Sequence, residues 1–256
     1  MADSAHLLTD AGALGLAFFA SRIATQPATR KMSYGFHRVE ILAALINGVG
    51  LVTISLFLLK QAFVRFQTPR TIHTPLMLGL GVAGLLFNLF VAILLQEIAK
   101  KNVNARSAFF HVLSDLLGSL GVVAAALIVR NTGWYYADPL VSIVIAVLIV
   151  GGAWKILKDV VEVLLEATPA RVNMTEMESR LLSVKGVREI CDLHVWTISS
   201  GKEALSAHLV VNPQMDPATL LPEINTILCD EFDIQHTTIQ FEKSAEKPHL
   251  PHQEGF

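Results

Sequence analysis

The stretch that decides the fold is residues 110–118, Phe-His-Val-Leu-Ser-Asp-Leu-Leu-Gly, and it has a counterpart, Ala-His-Leu-Leu-Thr-Asp-Ala-Gly, near the start of the chain. Each contains a histidine and an aspartate four positions apart, His111 with Asp115 and His6 with Asp10. This spacing puts both side chains of a pair on one face of a helix. Both pairs stand in long apolar segments, where an ionisable side chain is costly and indicates a functional site.

Two such pairs on two adjacent helices can supply four ligands to one metal ion. Zinc accepts imidazole nitrogen and carboxylate oxygen in tetrahedral geometry, at about 2.0–2.2 Å. The alternative is that each pair only forms hydrogen bonds between helices, and one pair alone would not decide the matter. The repetition, with small residues just after each pair, favours the metal site. No cysteine or methionine accompanies the pairs, which disfavours a soft metal.

The composition is that of a membrane protein. Of the 256 residues, 52% are hydrophobic and 16% are charged, and the mean hydropathy is +0.50, whereas a soluble protein has about 25% charged residues. Residues 1–168 contain 13 Lys and Arg against 9 Asp and Glu, and residues 169–256 contain 7 against 13. Neither part has the basic patch of a nucleic-acid-binding protein, so we expect no nucleic-acid partner.

Five apolar segments of about membrane-spanning length follow one another, separated by polar, proline- or glycine-containing loops. They are residues 5–24, 39–63, 76–98, 107–129 and 138–156. We predict that residues 1–168 form a multi-span helical bundle in the lipid bilayer.

Basic residues are concentrated in loops 22–38 and 99–106 and just after the fifth span. The excess of basic residues marks the cytoplasmic side, so the C-terminal region is expected to be cytoplasmic and Met1 to lie on the far side. Counting from these span boundaries puts His6 near the far side and His111 near the cytoplasm. The two pairs would then lie at different depths.

After Pro169 the pattern becomes that of a small soluble domain, predicted over residues 169–243 and followed by a flexible tail, 244–256. The predicted order is helix, two strands, helix, strand. It indicates an α+β fold with helices on one face of a mostly antiparallel sheet. The predicted elements are 175–184, 187–198, 204–211, 217–229 and 236–241.

The strands of this domain contain residue types that can form a second metal site, with Cys191 and Asp192 nearby. A lone strand histidine is more often structural or exposed. Three of them in a small domain, together with a glutamate, favour metal binding. These candidate ligands are His194, His208, His236 and Glu242.

These residues carry a family resemblance. The sequence resembles the cation diffusion facilitators, specifically their zinc-transporting branch, and the resemblance covers nearly the whole chain. It rests on the two His/Asp motifs, on YGFHRVEILAALING at 34–48, on LHVW at 193–196 and on LSAH at 205–208.

The resemblance implies a homodimeric zinc/proton antiporter with six spans and a cytoplasmic ferredoxin-like domain. It maps the transport site onto His6, Asp10, His111 and Asp115. It maps regulatory cytoplasmic sites onto His194, His208, His236 and Glu242. A histidine in the first pair is typical of zinc selectivity, and Cd²⁺ and Co²⁺ are further candidate substrates.

Two departures from the family shape our expectations. Five spans are predicted where the family has six, and the missing one is the family's first, so we expect this chain to lack it. The long histidine-rich loop of many eukaryotic members is absent between Ile98 and Ser107. That favours a bacterial type of protein, expected in the inner (plasma) membrane.

Two other classes of function are compatible with ionisable residues in a membrane bundle. An intramembrane metallohydrolase needs three ligands, an open water position and a general base, as in His-Glu-x-x-His. The sequence has no such motif, and we expect no enzyme activity. A non-transporting membrane zinc sensor, or an assembly partner of a transporter, stays an alternative because of the missing span.

Overall fold

The structure is a computed structural model that describes the backbone of residues 2–67 and 74–242. Within these ranges it describes side chains from residue 12 onward, apart from residues 74–77 and 80. The chain divides into two compact units, Met1–Leu164 and Leu165–Phe256. The predicted tail, 244–256, lies outside the described residues.

The first unit is built of five long helices, and each predicted apolar segment lies within one of them. Helices α2 to α5 each contain an apolar stretch long enough to cross a bilayer, whereas the described apolar part of α1, Gly12–Ala24, is shorter. That α1 crosses the membrane therefore stays a prediction. The helices are α1 (Ala2–Ala24), α2 (Arg38–Gln67), α3 (Thr74–Ala99), α4 (Val103–Thr132) and α5 (Ala137–Leu164).

Local sequence explains where α4 begins and ends. Asn102 is its N-cap, and its Oδ1 accepts a hydrogen bond from the Ala105 N–H at 2.9 Å. Gly133 ends the helix with φ of 68°, and its N–H donates to the carbonyl of Val129 at 2.8 Å. Both residues satisfy backbone groups that a helix end leaves without an intrahelical partner.

The bundle is held by close helix contacts. Helix α1 packs on α2 and α4, α2 also packs on α5, and α4 packs on α3 and α5. A Cβ on Gly48 of α2 would come within 2.8 Å of the Leu157 side chain of α5. One on Gly121 of α4 would overlap the side chain of Ile145 of α5. Glycine at these positions lets the helices approach, as is common between membrane helices.

Ion pairs hold α5 at both ends. Asp138, in its first turn, lies 3.3 Å from Nη1 of Arg65 near the end of α2. Asp159, near the other end, pairs with Arg106 in the first turn of α4. The beginning of α4 and the end of α5 therefore lie at the same end of the bundle, from which the chain leaves for the second unit.

The second unit contains α6 (Met174–Leu182), β1 (Val187–Ser199), β2 (Lys202–Val211), α7 (Pro217–Asp230) and β3 (His236–Glu242). Both helices bury their apolar sides against one face of the sheet. The expected fold class, a helical membrane bundle followed by a small α+β domain, is confirmed. The centre of the core consists of Met177, Leu181, Leu205, Leu209, Val211, Leu220, Ile224 and Leu228.

The sheet has the strand order β1-β2-β3. Strands β1 and β2 form an antiparallel hairpin, with Gly201 at φ of 72° in the turn. Strands β2 and β3 are parallel, so the prediction of a mostly antiparallel sheet is wrong for this pair. The reason is α7, which carries the chain back along the sheet before β3 begins and thereby makes β3 run in the direction of β2.

Arg171 ties the beginning of the second unit to its sheet. Its Nη2 lies 2.8 Å from Oε2 of Glu203, a buried carboxylate on β2. The same guanidinium donates to the carbonyls of Phe232 and Asp233 in the turn before β3. The hydrogen bond from Arg171 to Glu203 raises the pKa of the arginine above its ordinary value. The charge of the buried Glu203 is thereby compensated.

Candidate metal centre

The second His/Asp pair lies inside the bundle on α4. His111 is 4% exposed, and the Asp115 side chain is 14% exposed. His111 Nε2 and Asp115 Oδ2 are 3.9 Å apart, which is too long for a direct hydrogen bond. Two ligands of one tetrahedral zinc ion lie about 3.4 Å apart, as follows from bond lengths of about 2.1 Å. A small rotation of either side chain would bring both to one cation.

The first His/Asp pair lies on α1, within Ala2–Ala24. The helical backbone keeps His6 and Asp10 one turn apart on the same face. The side chains of both residues lie outside the described residues, so their part in the site stays a prediction.

Two buried amides hold α1 against its neighbours. Asn47 of α2 donates from Nδ2 to the carbonyl of Ala13 at 3.3 Å. Asn104 of α4 donates from Nδ2 to the carbonyl of Ala17 at 2.7 Å. Asn47 thus forms a hydrogen bond between α2 and α1. Asn104 was not singled out by the sequence, although its place seven residues before His111 puts it on the same helix face.

These contacts also give the helix directions. Ser107 of α4 donates to the carbonyl of Ala44 of α2 at 3.4 Å, and Asn102, just before α4, donates to Glu40 of α2, so α2 and α4 run parallel. Helix α1 runs against both, because its later residue, Ala17, meets the beginning of α4. Helices α1 and α4 are therefore antiparallel neighbours.

The candidate ligands of the second unit share one face of the sheet. On β2, residues 205, 207, 209 and 211 belong to the core, so His208 points to the opposite face. By the same alternation and the strand registers, His194, His236 and Glu242 lie on that face as well. It is the face turned away from α6 and α7.

Within this face the structure brings His208 and Glu242 together. His208 Nδ1 lies 3.6 Å from Glu242 Oε1, and their side chains are 24% and 14% exposed. Among the described residues, His208 Nδ1 has no hydrogen-bond partner although the atom is buried. Asp192 of β1 stands directly opposite His208, beside a register shift at Cys191. A buried ring nitrogen beside a carboxylate is suited to a metal ion.

The other two predicted ligands lie elsewhere on this face. His194 pairs with Ser206 and is bound by Asp192, whose Oδ1 is 2.6 Å from its Nε2. His236 pairs with Ala204, four residues along β2 from His208. Among the residues whose side chains are described, no group of three or more His, Cys, Asp and Glu is close enough to hold one metal ion. A site in which all four candidate ligands of the second unit bind one metal ion stays a prediction.

Comparison with known proteins decides the family. A family model described as the cation efflux transmembrane domain matches residues 1–165, and one described as the cation efflux protein, cytoplasmic domain, matches residues 169–244. The chain belongs to the cation diffusion facilitator family. It is therefore a multi-pass membrane protein of cation efflux with a cytoplasmic domain, and not an enzyme.

Individual relatives of this cation diffusion facilitator support the same family assignment. It is 40% identical to the metal cation efflux system protein CzcD of Cupriavidus metallidurans, over 94% of this chain and 77% of that one. It is 39% identical to the zinc transporter ZitB of Escherichia coli, over 94% and 78%. It is 37% identical to the cadmium, cobalt and zinc/H(+)-K(+) antiporter of Bacillus subtilis, over 96% and 80%.

Proposed function

We propose that this protein exports divalent metal ions, above all Zn²⁺, from the cytoplasm in exchange for protons. The transported ion is held by His6, Asp10, His111 and Asp115. The observation that carries the proposal is the His111–Asp115 pair, buried in the bundle with its two ligand atoms 3.9 Å apart. The relatives named as zinc, cadmium and cobalt transporters support this choice of substrates.

Helix counting supports the participation of the first pair. Asn104 and Ala17 are in contact, His111 is seven residues after Asn104, and Asp10 is seven residues before Ala17. In antiparallel helices these equal steps, each about 10 Å of rise, bring positions 111 and 10 to the same level. The same count, eleven residues each way, brings position 115 level with position 6.

On this proposal the two pairs lie at one level, in contrast to the different depths predicted from the span boundaries. Helix α1 continues seven residues beyond Ala17, whereas α4 begins only one residue before Asn104. The end of α1 thus projects past the beginning of α4 by roughly two turns. Boundaries taken from hydropathy assume that neighbouring helices end at one plane, and here they do not.

The chemistry of the ligands supplies the coupling to protons. Metal binding requires neutral histidine and ionised aspartate, so that loading the site releases protons and proton binding expels the metal. Histidine is suited to this exchange because its ordinary pKa, about 6.5, lies close to physiological pH. Protons arriving from the far side would therefore unload the ion there.

The cytoplasmic domain would regulate transport as part of a homodimer. In this proposal His208 and Glu242 are the centre of a regulatory zinc site, with His194 and His236 on the same sheet face. This face is turned away from α6 and α7, and in this proposal a second copy of the chain binds it. The bacterial relatives support a location in the bacterial inner membrane.

The test is zinc uptake into proteoliposomes with an imposed pH gradient. The unaltered protein should take up zinc, and an ionophore that dissipates the gradient should stop uptake. Asp115→Ala should abolish it, while Ser114→Ala, which removes a hydroxyl that donates to the carbonyl of Phe110, should not. Undiminished transport by Asp115→Ala would refute the site. Zinc binding without uptake by the unaltered protein would instead favour a sensor or assembly partner.

A further inference from the structure

Among the described residues, only one of the two polar atoms of the Asn104 amide has a hydrogen-bond partner. The residue is 2% exposed, and its Nδ2 donates to the carbonyl of Ala17. Its Oδ1 is buried as well, and the part of the chain that the structure describes offers it no hydrogen-bond partner. A buried carbonyl oxygen without a partner costs free energy and is uncommon in folded proteins. A water molecule or a cation at this position would give the Asn104 oxygen a partner.

Asn104 stands in line with the transport pair. At about 100° per residue, positions 104, 111 and 115 of α4 lie within roughly 20° of one direction. Asn104 is about 10 Å from His111 along the helix axis, on the side from which the chain leaves for the cytoplasmic domain. A cation that moves from the cytoplasm to His111 along this face passes Asn104.

The opposing helix presents small side chains to Asn104. The face of α1 that meets Asn104 has only small buried side chains toward its end, those of Ala17, Ala20 and Ala24. Their side chains carry no polar group. On α4 the buried Ser107 hydroxyl already donates to the carbonyl of Ala44, whereas the amide oxygen of Asn104 has no hydrogen-bond partner among the described residues. An amide oxygen is a suitable ligand for a partly hydrated divalent cation.

A negative charge stands at the same end of the bundle. Glu40, in the first turn of α2, is 8% exposed. Both of its carboxylate oxygens accept from Nδ2 of Asn102 at 3.0 Å, and no basic side chain pairs with it among the described residues. A buried carboxylate compensated only by an amide and a helix N-terminus attracts cations.

We propose that the Asn104 amide oxygen is a transient ligand that receives the cation at the cytoplasmic end, on its way to His111 and Asp115, with Glu40 drawing cations to this end. This inference rests on the proposed function. Asn104 exchanges for part of the hydration shell of the ion before the final ligands replace the rest. It sets how readily the site is loaded, and the final affinity is set by the transport ligands.

Three variants distinguish the role of the amide oxygen from that of the amide nitrogen. Asn104→Ala removes both, and Asn104→Asp keeps oxygens at the site but loses the donor to Ala17. Asn47→Ala is the matched control, since it removes the corresponding amide donor to α1 from α2. Zinc uptake into proteoliposomes is measured against external Zn²⁺ concentration, and equilibrium zinc binding is measured on the same proteins in detergent.

We expect Asn104→Ala to raise the zinc concentration for half-maximal uptake at least about fivefold, with equilibrium binding unchanged within about twofold. Asn104→Asp should keep the half-maximal concentration at or below that of the unaltered protein. Asn47→Ala should leave it within about twofold. A rise in Asn104→Asp equal to that in Asn104→Ala would overturn the proposal, because the lost bond to Ala17 would then be the cause.

Unchanged uptake by Asn104→Ala would also overturn it and would assign the oxygen to a structural water. If Asn104→Ala fails to form a monodisperse protein, Asn104→Asp decides alone: a raised half-maximal concentration contradicts the proposal. The same vesicles distinguish this failure from a failure of the proposed function. In the latter case the unaltered protein carries no zinc, or Asp115→Ala transports as well as it does.

Discussion

His208 Nδ1 lies 3.6 Å from Glu242 Oε1, across the parallel strands β2 and β3. Both side chains are largely buried, and the ring nitrogen has no hydrogen-bond partner among the described residues. The two residues are 34 positions apart in the sequence, and only the crossover through α7 brings them together. This relationship is the basis of the regulatory zinc site in the proposed function.

Removal of Glu242 should therefore weaken zinc binding by the cytoplasmic domain. We expect Glu242→Ala to lower the affinity by more than roughly tenfold, because even residues that only orient a metal ligand contribute that much. The measurement is calorimetric titration of the full chain in detergent with zinc, in an Asp115→Ala background that disables the transport site. Glu223→Ala, an exposed glutamate of α7, is the control. Equal affinity in both variants would contradict the assignment.

The register between α1 and α4 predicts which positions can be cross-linked. In a background with Cys191 and Cys229 changed to serine, a cysteine pair replacing Asp10 and His111 should close under mild oxidation. A pair replacing His6 and His111 should close at least about tenfold more slowly. The second pair is offset by about 6 Å along the helix, and a disulfide requires Cα atoms within about 7 Å.

Gel mobility with and without reductant follows both cysteine pairs. Faster closure of the His6 pair would show that the helix count from Asn104 and Ala17 is shifted by a turn. Equal rates would show that α1 slides relative to α4. Either result would remove the support that the register gives to a four-ligand transport site.

Close packing of α2 on α5 predicts different effects at two glycines. A Cβ on Gly48 would come within 2.8 Å of Leu157, whereas one on Gly50 meets nothing within 4 Å. Gly48→Val should destabilise the bundle by about 1–3 kcal/mol, the usual cost of overpacking. Gly50→Val should have little effect. Thermal unfolding in detergent is the measurement, and equal melting temperatures of the two variants would show that α2 and α5 do not pack as described.

An ion pair in the cytoplasmic domain predicts a pH dependence of stability. The hydrogen bond from Arg180 holds the pKa of Glu231 below its ordinary value of 4.5. A carboxyl group with a lowered pKa in the folded state stabilises the fold above its ordinary pKa, and this contribution is lost as the pH falls through the lowered value. The effect should be small, since both side chains are well exposed.

The comparison for this pair is between the unaltered protein and Glu231→Gln. The melting temperature should be lower in Glu231→Gln near neutral pH, and the difference should shrink below pH 4.5. High salt should reduce it at neutral pH as well, by screening the exposed charges. A difference that grows on acidification would contradict the assigned direction of the pKa.

Much of the fold could be predicted because it depends on local sequence. The five apolar segments and their breaks predicted all five long helices, since an apolar run of that length has few other stable forms in a bilayer. The predicted helix over 217–229 corresponds to α7, which begins at Pro217 with Asp216 as its N-cap. The His111–Asp115 pair was equally visible, because a spacing of four means one helix face.

The sequence by itself thus determined the elements, their order, and which residue types stand on which face. The tertiary structure alone decided that β3 runs parallel to β2 and that His208 meets Glu242 while His194 and His236 lie apart. It also decided that the buried Asn104 oxygen has no hydrogen-bond partner among the described residues. The physical reason is range. A periodic pattern depends only on residues that are close in sequence. These three features depend on packing between segments that are distant in sequence, such as α1 against α4 and α7 against the sheet.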